Sequence, residues 1–317
     1  MRLHTIGLIA AAAVAAVAAS VPARAQTNPF TGTWNITPEQ PNAGVYWLEV
    51  KDEGGKPAVM FLNRGGSPVA GQDVKLADGE LTFMVGGTAQ NRPTVTLRAN
   101  GEKITGTVGQ VKVMGERPPK WAACDANASH TLGKPVVLFD GKSMDAWGIQ
   151  MANRPIMWSI EDSVMTNEPK GNNLVSKEKF RDFRLDAEYK LSEKGNSGIY
   201  LRGRYEMQVL DDFGRTDDRE HGHMSIYSAK APMVNASKKA GEWQTVQITV
   251  VGNCVSATLN GQKIHDNSKI ARITGGALDA REAEPGPIMI QGDHEKVWYR
   301  KVVVTPITAA RGSSASR

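Results

Sequence analysis

The sequence predicts an all-β protein with two β domains, and three observations support this. Apolar and polar residues alternate with a period of two in many short segments. Gly-containing turn signals separate these segments at intervals of about ten residues. Long helical periodicity is absent from the second half of the chain. The 317 residues, 40% hydrophobic and 22% charged, suffice for two ordinary globular domains and exclude a fibrous or disordered chain.

Residues 1–25 predict a secretory signal peptide. A short basic start precedes an Ala- and Val-rich run over residues 6–21, and Ala23 and Ala25 provide the small residues of a cleavage site before Gln26. An N-terminal membrane anchor is the alternative, but the run is short and ends in the cleavage site. We therefore expect a periplasmic or secreted protein, and removal of Arg2 and Arg24 lowers the net charge from +5 to +3.

Residues 26–118 predict a small antiparallel β domain, either a barrel or a sandwich. Strand-like segments at 32–36 and 46–50 alternate with turn signals such as Asp78-Gly79 and Asn100-Gly101. The segment contains no cluster of catalytic residue types. We expect this domain to pack on the catalytic sheet or to extend it.

Residues 119–134 predict a linker, because Pro118 and Pro119 break the composition and residues 122–130 are small and polar. Cys124 lies in it, and Cys254 lies in a predicted strand. Two cysteines exclude a four-cysteine zinc site. Export permits a disulfide between them, but a buried, inert thiol at Cys254 fits the sequence as well.

Residues 135–307 predict a two-sheet β-sandwich of jelly-roll type. In residues 183–191 every second residue is apolar and the others are charged, which indicates a strand with one face in solvent. Residues 245–251 and 255–259 repeat the alternation, and Asn260-Gly261 then forms a tight hairpin turn. Residues 308–317 are rich in Ala, Ser and Gly, so we expect a disordered tail.

The segment 198–211 carries most of the candidate chemistry. A three-residue hairpin loop at 202–204 would place Tyr200 opposite Glu206 and gather the apolar residues on the other face. A solvated outer face is the alternative, but Arg, Tyr and Gln are typical of faces that hydrogen-bond hydroxylated ligands. The candidate residues of this face are Tyr200, Arg202, Glu206 and Gln208.

Further candidates follow the hairpin. If residues 221–223 are extended, His221 and His223 point to one side, where they could bind a divalent metal ion with Asp211. Isolated surface histidines are the alternative, since no third ligand is fixed by spacing. The run at 291–294 ends a predicted strand, where sheet proteins often place site residues. From these segments we add Asp211, Tyr227, Gln291 and His294 to the candidates.

Motifs across residues 135–306 resemble, in order, those of the 3-keto-disaccharide hydrolase domain family. They include Leu138-Phe139-Asp140-Gly141-Lys142, Gly195-Asn196-Ser197-Gly198-Ile199-Tyr200-Leu201-Arg202, Tyr205-Glu206-Met207-Gln208-Val209-Leu210-Asp211, Gly241-Glu242-Trp243 and Gly286-Pro287-Ile288 with a following Gln-x-x-His. The resemblance implies a concanavalin/laminarinase-like jelly roll that acts on sugars already oxidised at C3, as a hydrolase or a 1,2-lyase. It does not cover the N-terminal β domain.

The resemblance and the local patterns together give two groups of site residues. The expected catalytic residues are Glu206, His221, His223, Asp211 and His294. The expected substrate-binding residues are Asn196, Tyr200, Arg202, Gln208, Tyr227, Trp243 and Gln291. No cofactor is implied with certainty, although a divalent ion chelated by the substrate would stabilise an enolate.

The resemblance to laminarinases also bears on mechanism. Laminarinase-type retaining glycosidases carry Glu-x-Asp-x-x-Glu on a site strand, whereas this chain has Glu206-x-Gln208-x-x-Asp211. Gln208 cannot serve as a carboxylate, which argues against a covalent double displacement. A 3-keto sugar offers another route, because its ketone acidifies the C2 proton and the C1 oxygen can then leave by β-elimination.

A non-catalytic carbohydrate-binding module is the second candidate function, since a jelly roll with exposed aromatic residues can stack sugars. The density of ionisable residues around Glu206 favours an enzyme. Either way the expected partner is a carbohydrate. The sequence contains no Lys/Arg run of the nucleic-acid-binding type, and after residue 25 no apolar run of membrane-spanning length.

Overall fold

The structure is a computed structural model, which describes residues 28–40, 43–86 and 92–310. The predicted signal peptide and residues 311–317 of the predicted tail lie outside the described residues. Within the described ranges the regular elements are 23 strands in three antiparallel sheets. In the same ranges no helix is long and apolar enough to cross a membrane.

The first sheet curls into a small barrel. Its strands are β1 (Gly32–Pro38), β2 (Tyr46–Glu53), β3 (Lys56–Asn63), β4 (Val69–Ala70), β5 (Gln72–Ala77), β6 (Glu80–Met84), β7 (Thr94–Asn100), β8 (Lys103–Val108) and β9 (Val111–Glu116). They pair in the order β4-β3-β2-β1-β9-β8-β7-β6-β5. The N–H of Gly71 donates to the carbonyl of Val59 at 2.9 Å, which brings the start of β5 against β3. The sheet thus encloses its own core, in which Phe61 packs 5.5 Å from Tyr46 and from Phe83.

The second part of the chain forms a two-sheet sandwich. Its strands are β10 (His130–Leu132), β11 (Val136–Phe139), β12 (Trp147–Ile149), β13 (Trp158–Glu161), β14 (Val164–Asn167), β15 (Leu174–Phe180), β16 (Phe183–Leu191), β17 (Asn196–Leu201), β18 (Tyr205–Leu210), β19 (Gln244–Val251), β20 (Cys254–Leu259), β21 (Gln262–Lys269), β22 (Gly286–Ile290) and β23 (Val297–Ala310). One sheet has the order β13-β14-β23-β16-β19-β20-β21, with β10 and β11 also paired to β23. The other has the order β12-β15-β22-β17-β18.

The sandwich core lies between these two sheets, as the alternation predicts. In β16 burial alternates along the whole strand, with Leu185 and Tyr189 in the core. From the five-stranded sheet, Ile199, Met207 and Ile288 enter the same core. Because successive residues of a strand point to opposite faces, the intervening residues of β17, β18 and β22 face away from the core. The prediction of an all-β fold with a β-sandwich is confirmed.

The barrel packs directly on the sandwich. Val45, Trp47 and Leu62 belong to the apolar core cluster of the sandwich rather than to that of the barrel. A buried polar contact lies nearby, since Asn35 Nδ2 donates to Glu282 Oε1 at 2.6 Å. The two parts therefore share both apolar and polar contacts.

Two local expectations need correction. Residues 130–132 of the expected linker form β10, and residues 308–310 of the expected disordered tail belong to β23, because these two segments pair with each other. Of the two alternatives for Cys254, the structure has the disulfide, which joins it to Cys124 over a separation of 130 residues. This bond ties residues before β10 to β20.

Candidate active site

The β17–β18 hairpin positions the central residues of the site. Its loop has three residues, and Tyr200 pairs with Glu206, as the parity of the sequence predicts. Arg202 and Gly203 have φ values of 53° and 66°, so the loop turns through the left-handed region that glycine favours. Tyr200, Glu206 and Gln208 consequently project from the sheet face that is turned away from the sandwich core.

A cleft of about 370 Å³ lies over this face. Its floor comes from β17, β18 and β22, and its walls come from loops of both parts of the chain. The residues that line it are Gly65, Gly66, Gln150, Met151, Asn173, Asn196, Tyr200, Glu206, Gln208, Tyr227, Gly275, Gly276, Met289, Gln291, Asp293 and His294. Amide, carboxyl, phenol and imidazole groups thus converge on one small space, as in sites that orient a polar ligand.

Glu206 is the most perturbed carboxyl group of the cleft. Only 5% of the residue is exposed. Burial raises its pKa to about 8, against the smaller opposing effects of a hydrogen bond from Tyr200 and of the nearby His294. The group is therefore mostly protonated at neutral pH, and it can deliver a proton to a ligand in the cleft.

Tyr200 connects Glu206 to two other parts of the site. Its Oη lies 2.9 Å from Glu206 Oε2 and 2.8 Å from the carbonyl oxygen of Gly275, and Gln291 Nε2 donates to it at 3.1 Å. Burial and the neighbouring Glu206 raise the pKa of Tyr200 well above its ordinary value. Tyr200 thus remains a neutral phenol that fixes the position of the carboxyl group.

Asp293 and His294 form a second titratable unit in the cleft. His294 Nδ1 lies 2.8 Å from Asp293 Oδ1, and Arg154 contacts the other carboxylate oxygen at 3.4 Å. The hydrogen bond to Asp293 raises the pKa of His294 despite partial burial. Burial alone would raise the pKa of Asp293, but His294 and Arg154 outweigh it and lower that pKa. This pairing fixes the imidazole and increases its basicity.

Asn173 fixes the turn that carries this pair. Its Oδ1 accepts hydrogen bonds from the N–H groups of Gly292 (2.8 Å) and Asp293 (3.2 Å). Its Nδ2 donates to Gln150 Oε1 at 2.7 Å, so two amides of the cleft are already oriented. In contrast, the buried Oε1 of Gln291 has no hydrogen-bond partner among the described residues. A ligand donor is the natural partner for such an atom.

Gly198 leaves the space that Glu206 occupies. A Cβ atom at this position would lie 2.5 Å from Glu206 Oε1 and 2.9 Å from Gln291 Oε1. Gly198 pairs with Gln208 across the hairpin. Residue 198 must therefore lack a side chain so that the carboxyl group of Glu206 can occupy its position. The strand itself imposes no such requirement.

The expectation for His223 is wrong. This residue is buried beneath the sheet, with Nε2 2.7 Å from the hydroxyl of Tyr189 and Nδ1 2.7 Å from the carbonyl oxygen of Leu210. Burial lowers its pKa, which keeps the ring neutral. The reason for the error is that residues 221–223 form turns and not an extended strand, so the two histidines do not share a side.

His221 and Asp211 lie outside the cleft lining. His221 is bound between Asp218 (2.5 Å) and Ser67 (2.9 Å), and it packs edge-on against Tyr227, which does line the cleft. Asp211 accepts the N–H of Lys194 at 2.8 Å, beyond the end of β18. The set His221, His223 and Asp211 therefore does not fit a divalent ion. Among the described residues no three or more metal-ligand side chains are grouped suitably.

Arg202 and Trp243 also lie away from the cleft. Arg202 leaves the sheet at the hairpin loop, and its guanidinium bonds the carbonyl of Arg181 and the carboxylate of Asp182. Trp243 precedes β19 of the other sheet, where Arg300 lies 4.5 Å from its ring centroid. The alternation that placed Arg202 with Tyr200 ends where the loop begins.

The structure adds residues that the sequence did not single out as site residues. Asp293 follows the apolar run of β22 and could have been identified from its neighbour His294. Asn173 directly precedes the apolar start of β15, and an amide at a strand end is a weak signal for a site residue. Nothing in the sequence marks as site residues the four glycines Gly65, Gly66, Gly275 and Gly276. Only the packing of the barrel on the sandwich brings them together.

Comparisons with known proteins show which proteins this chain is similar to. The model of the 3-keto-alpha-glucoside-1,2-lyase-like domain family matches residues 134–305. The 3-keto-disaccharide hydrolase of Bacteroides thetaiotaomicron is 26% identical over 41% of this chain and 57% of its own length. The chain thus spans less than two thirds of that curated relative.

Two solved structures are also similar. A candidate glycosyl hydrolase from Parabacteroides distasonis is 27% identical, with 55% of this chain and 84% of that chain covered and a TM-score of 0.48. A lichenase derived from a mouse hindgut metagenome is 9% identical, with 55% and 100% covered and a TM-score of 0.34. The family resemblance of the motifs is confirmed, since the family model covers more than half of the chain. The chain belongs to the 3-keto-alpha-glucoside-1,2-lyase-like domain family.

Proposed function

We propose that this protein cleaves the glycosidic bond of 3-keto-glycosides by elimination, with or without subsequent hydration. The observation that carries the proposal is the buried, hydrogen-bonded carboxyl group of Glu206, which faces a small polar cleft together with the Asp293–His294 pair. A carboxylic acid with a pKa of about 8 retains the proton that a departing glycosidic oxygen needs. A carbohydrate-binding module has no requirement for such a group.

In the proposed reaction a base removes the C2 proton of the oxidised sugar. The C2–H electrons form the enolate with the C3 carbonyl and then the C1–C2 double bond, while the C1–O bond breaks and the leaving oxygen takes a proton. The products are an alcohol and a 1,2-unsaturated 3-ketone. Addition of water across that double bond, with hydroxyl at C1 and hydrogen at C2, gives net hydrolysis.

We assign the base to His294 and the acid to Glu206. Asp293 holds the His294 ring and raises its pKa, as an orienting carboxylate does for a general base. Among the described residues that line the cleft, Glu206 is the carboxyl group whose pKa is raised, so it can hold a proton for the leaving group. The cleft amides of Gln208, Asn173 and Gln291 are the candidate groups for the hydroxyls and the enolate oxygen.

A covalent double displacement is the competing mechanism, because Asp293 provides a second carboxylate in the cleft. Asp293 is, however, bound to His294 and Arg154. A nucleophile of this kind would act equally on unoxidised glycosides. The two mechanisms therefore differ in their requirement for the ketone.

The substrate requirement gives a direct experiment. The purified protein is incubated with 4-nitrophenyl 3-keto-glucoside and with 4-nitrophenyl glucoside, and release of nitrophenol is followed. We expect release only from the oxidised glycoside. Equal release from both would contradict the elimination, and release from neither would favour the carbohydrate-binding function.

We also propose that the protein is exported and begins at Gln26 after cleavage. The Cys124–Cys254 disulfide supports this, because such bonds persist in oxidising compartments. The intact mass of protein recovered from the periplasm or the medium tests it. A mass that still includes residues 1–25 would contradict cleavage at this position.

A further inference from the structure

A loop of the N-terminal barrel forms part of the cleft. We name residues 64–67, between β3 and β4, the barrel loop. Gly65 and Gly66 of this loop line the cleft beside Tyr200 and Glu206. The family model begins only at residue 134, so this wall comes from outside the family domain.

Three contacts attach the barrel loop to the sandwich. The carbonyl of Arg64 accepts the N–H of Gly276 at 2.7 Å, and the hydroxyl of Ser67 lies 2.9 Å from His221 Nε2. Gly275 lies so close to Gly66 that a Cβ atom at residue 275 would overlap the Gly66 backbone. Such a close approach of two backbones requires glycine.

The barrel loop is also linked to the candidate acid. Gly275, against which the loop packs, presents its carbonyl to the hydroxyl of Tyr200 at 2.8 Å, and Tyr200 contacts Glu206. A Cβ atom on Gly276 would lie 2.5 Å from the Tyr200 hydroxyl. The barrel loop thus holds the glycine pair 275–276, which in turn positions Tyr200.

From this arrangement we infer that the barrel loop is a specificity determinant that restricts the enzyme to short 3-keto-glycosides. The cleft volume of about 370 Å³ is near the lower end for ligand pockets. A carbohydrate chain that continued past the cleft on this side would meet the barrel. The inference rests on the proposed function, and it adds that the N-terminal barrel, which lies outside the family domain, limits the length of the substrate.

Gly65 offers the most direct test of the wall. A Cβ atom there has no neighbour within 4 Å, and its φ is not in the left-handed region, so a side chain can be added without backbone strain. We expect Gly65→Trp to raise KM for a 3-keto-disaccharide by at least about tenfold with a smaller effect on kcat. Val69→Trp, on the exposed strand β4, is the matched control and should leave both constants unchanged.

Substrate length and a milder variant complete the test. For the wild type we expect kcat/KM to fall at least about tenfold from a terminally oxidised disaccharide to the corresponding tetrasaccharide. Ser67→Ala, which removes the contact to His221 and so loosens the barrel loop, should reduce this difference between the two substrates. Unchanged KM in Gly65→Trp, an undiminished length preference in Ser67→Ala, or equal use of both substrate lengths by the wild type would overturn the inference.

Binding separates this inference from the proposed function. The imidazole NMR signals of His294 are followed while cellobiose or cellotetraose is added to the wild type and to Gly65→Trp. Weaker binding by the variant would support the role of the barrel loop. If the wild type at the same time turned over no 3-keto-glycoside, the proposed function alone would be refuted. Equal binding by the wild type and by Gly65→Trp would refute the role of the barrel loop, whether or not the wild type cleaves 3-keto-glycosides.

Discussion

Tyr200 and Glu206 lie directly opposite each other on β17 and β18, with Tyr200 Oη 2.9 Å from Glu206 Oε2. The same hydroxyl lies 2.8 Å from the carbonyl oxygen of Gly275, but it has only one proton to donate. If Glu206 is protonated, it can donate to Tyr200, which then donates to Gly275. If Glu206 is ionised, Tyr200 donates to the carboxylate, and the carbonyl of Gly275 loses this donor. This competition limits how far Tyr200 can lower the pKa of Glu206, which burial raises.

Glu206→Gln should remove acid catalysis while retaining the shape of the side chain. We expect a loss of about 10²–10⁴-fold in kcat for a 3-keto-disaccharide, whose alcohol leaving group needs a proton. The loss should be much smaller for a nitrophenyl 3-keto-glucoside, whose leaving group departs as an anion. Steady-state kinetics on the two substrates check this. An equal loss of kcat on both substrates would show that Glu206 does not act as the acid.

The raised pKa of Glu206 also makes stability depend on pH. A carboxyl group whose pKa rises from 4.5 to about 8 on folding binds its proton more tightly in the folded state. The free energy of unfolding should therefore fall as pH rises from about 4.5 to 8, by up to about 5 kcal/mol from this group. Urea unfolding of the wild type and of Glu206→Gln across this range should show the difference in slope. Parallel curves would mean that Glu206 titrates normally.

Gly198→Ala should displace the carboxyl group of Glu206. The added Cβ would lie 2.5 Å from Glu206 Oε1, so we expect activity to fall about 10–100-fold and stability to fall by about 1–3 kcal/mol. Gly148→Ala is the matched control, because its nearest neighbour, Val175 O in the same sheet, would lie 3.7 Å away. Activity measurements and thermal unfolding compare the two variants. Equal behaviour of both would argue that the site tolerates a shifted Glu206.

Asp293→Asn should shift the acid limb of the pH profile. Asp293 raises the pKa of His294, and His294 must be neutral to act as the base. Loss of the carboxylate therefore lowers the pKa of His294 and moves the acid limb of kcat/KM to lower pH, while the maximal rate falls. NMR titration of the His294 imidazole checks the pKa independently. A shifted imidazole titration with an unmoved acid limb would exclude His294 as the base.

Removal of the disulfide should destabilise the sandwich without changing the site. Replacing Cys124 and Cys254 together by serine opens a link over 130 residues, and we expect a loss of about 2–5 kcal/mol in the free energy of unfolding. Urea unfolding of the double variant, compared with the wild type with and without reductant, measures this. KM should stay unchanged, because neither cysteine lines the cleft.

The sequence predicted those parts of the site that follow from strand periodicity. The parity of residues 198–211 correctly placed Tyr200 opposite Glu206, because alternation holds as long as the strand continues. It failed for Arg202, where the chain leaves the sheet, and for His223, where turns replace the assumed strand. Periodicity contains no information about where regular structure ends.

The remaining walls of the site depend on long-range packing. Asp293 and His294 approach Glu206 through the pairing of β22 with β17, and Gly65 and Gly66 approach it through the seating of the barrel on the sandwich. Contacts between residues so distant in the chain leave no local pattern, particularly when the contributing residues are glycines. The role of the barrel in the cleft could therefore be identified only in three dimensions.

The proposed elimination requires removal of the C2 proton, which hydrogen exchange with the solvent detects. A nitrophenyl 3-keto-glucoside is cleaved in D₂O at short reaction times, and the position of deuterium in the sugar product is determined by NMR. We expect deuterium at C2 if the product is hydrated, and a C2 that carries no hydrogen if the product is the unsaturated ketone. The C4 position is equally activated by the ketone, so it serves as the internal control and should keep its protium. Cleavage that leaves protium at C2, without a C2 isotope effect, would contradict the elimination.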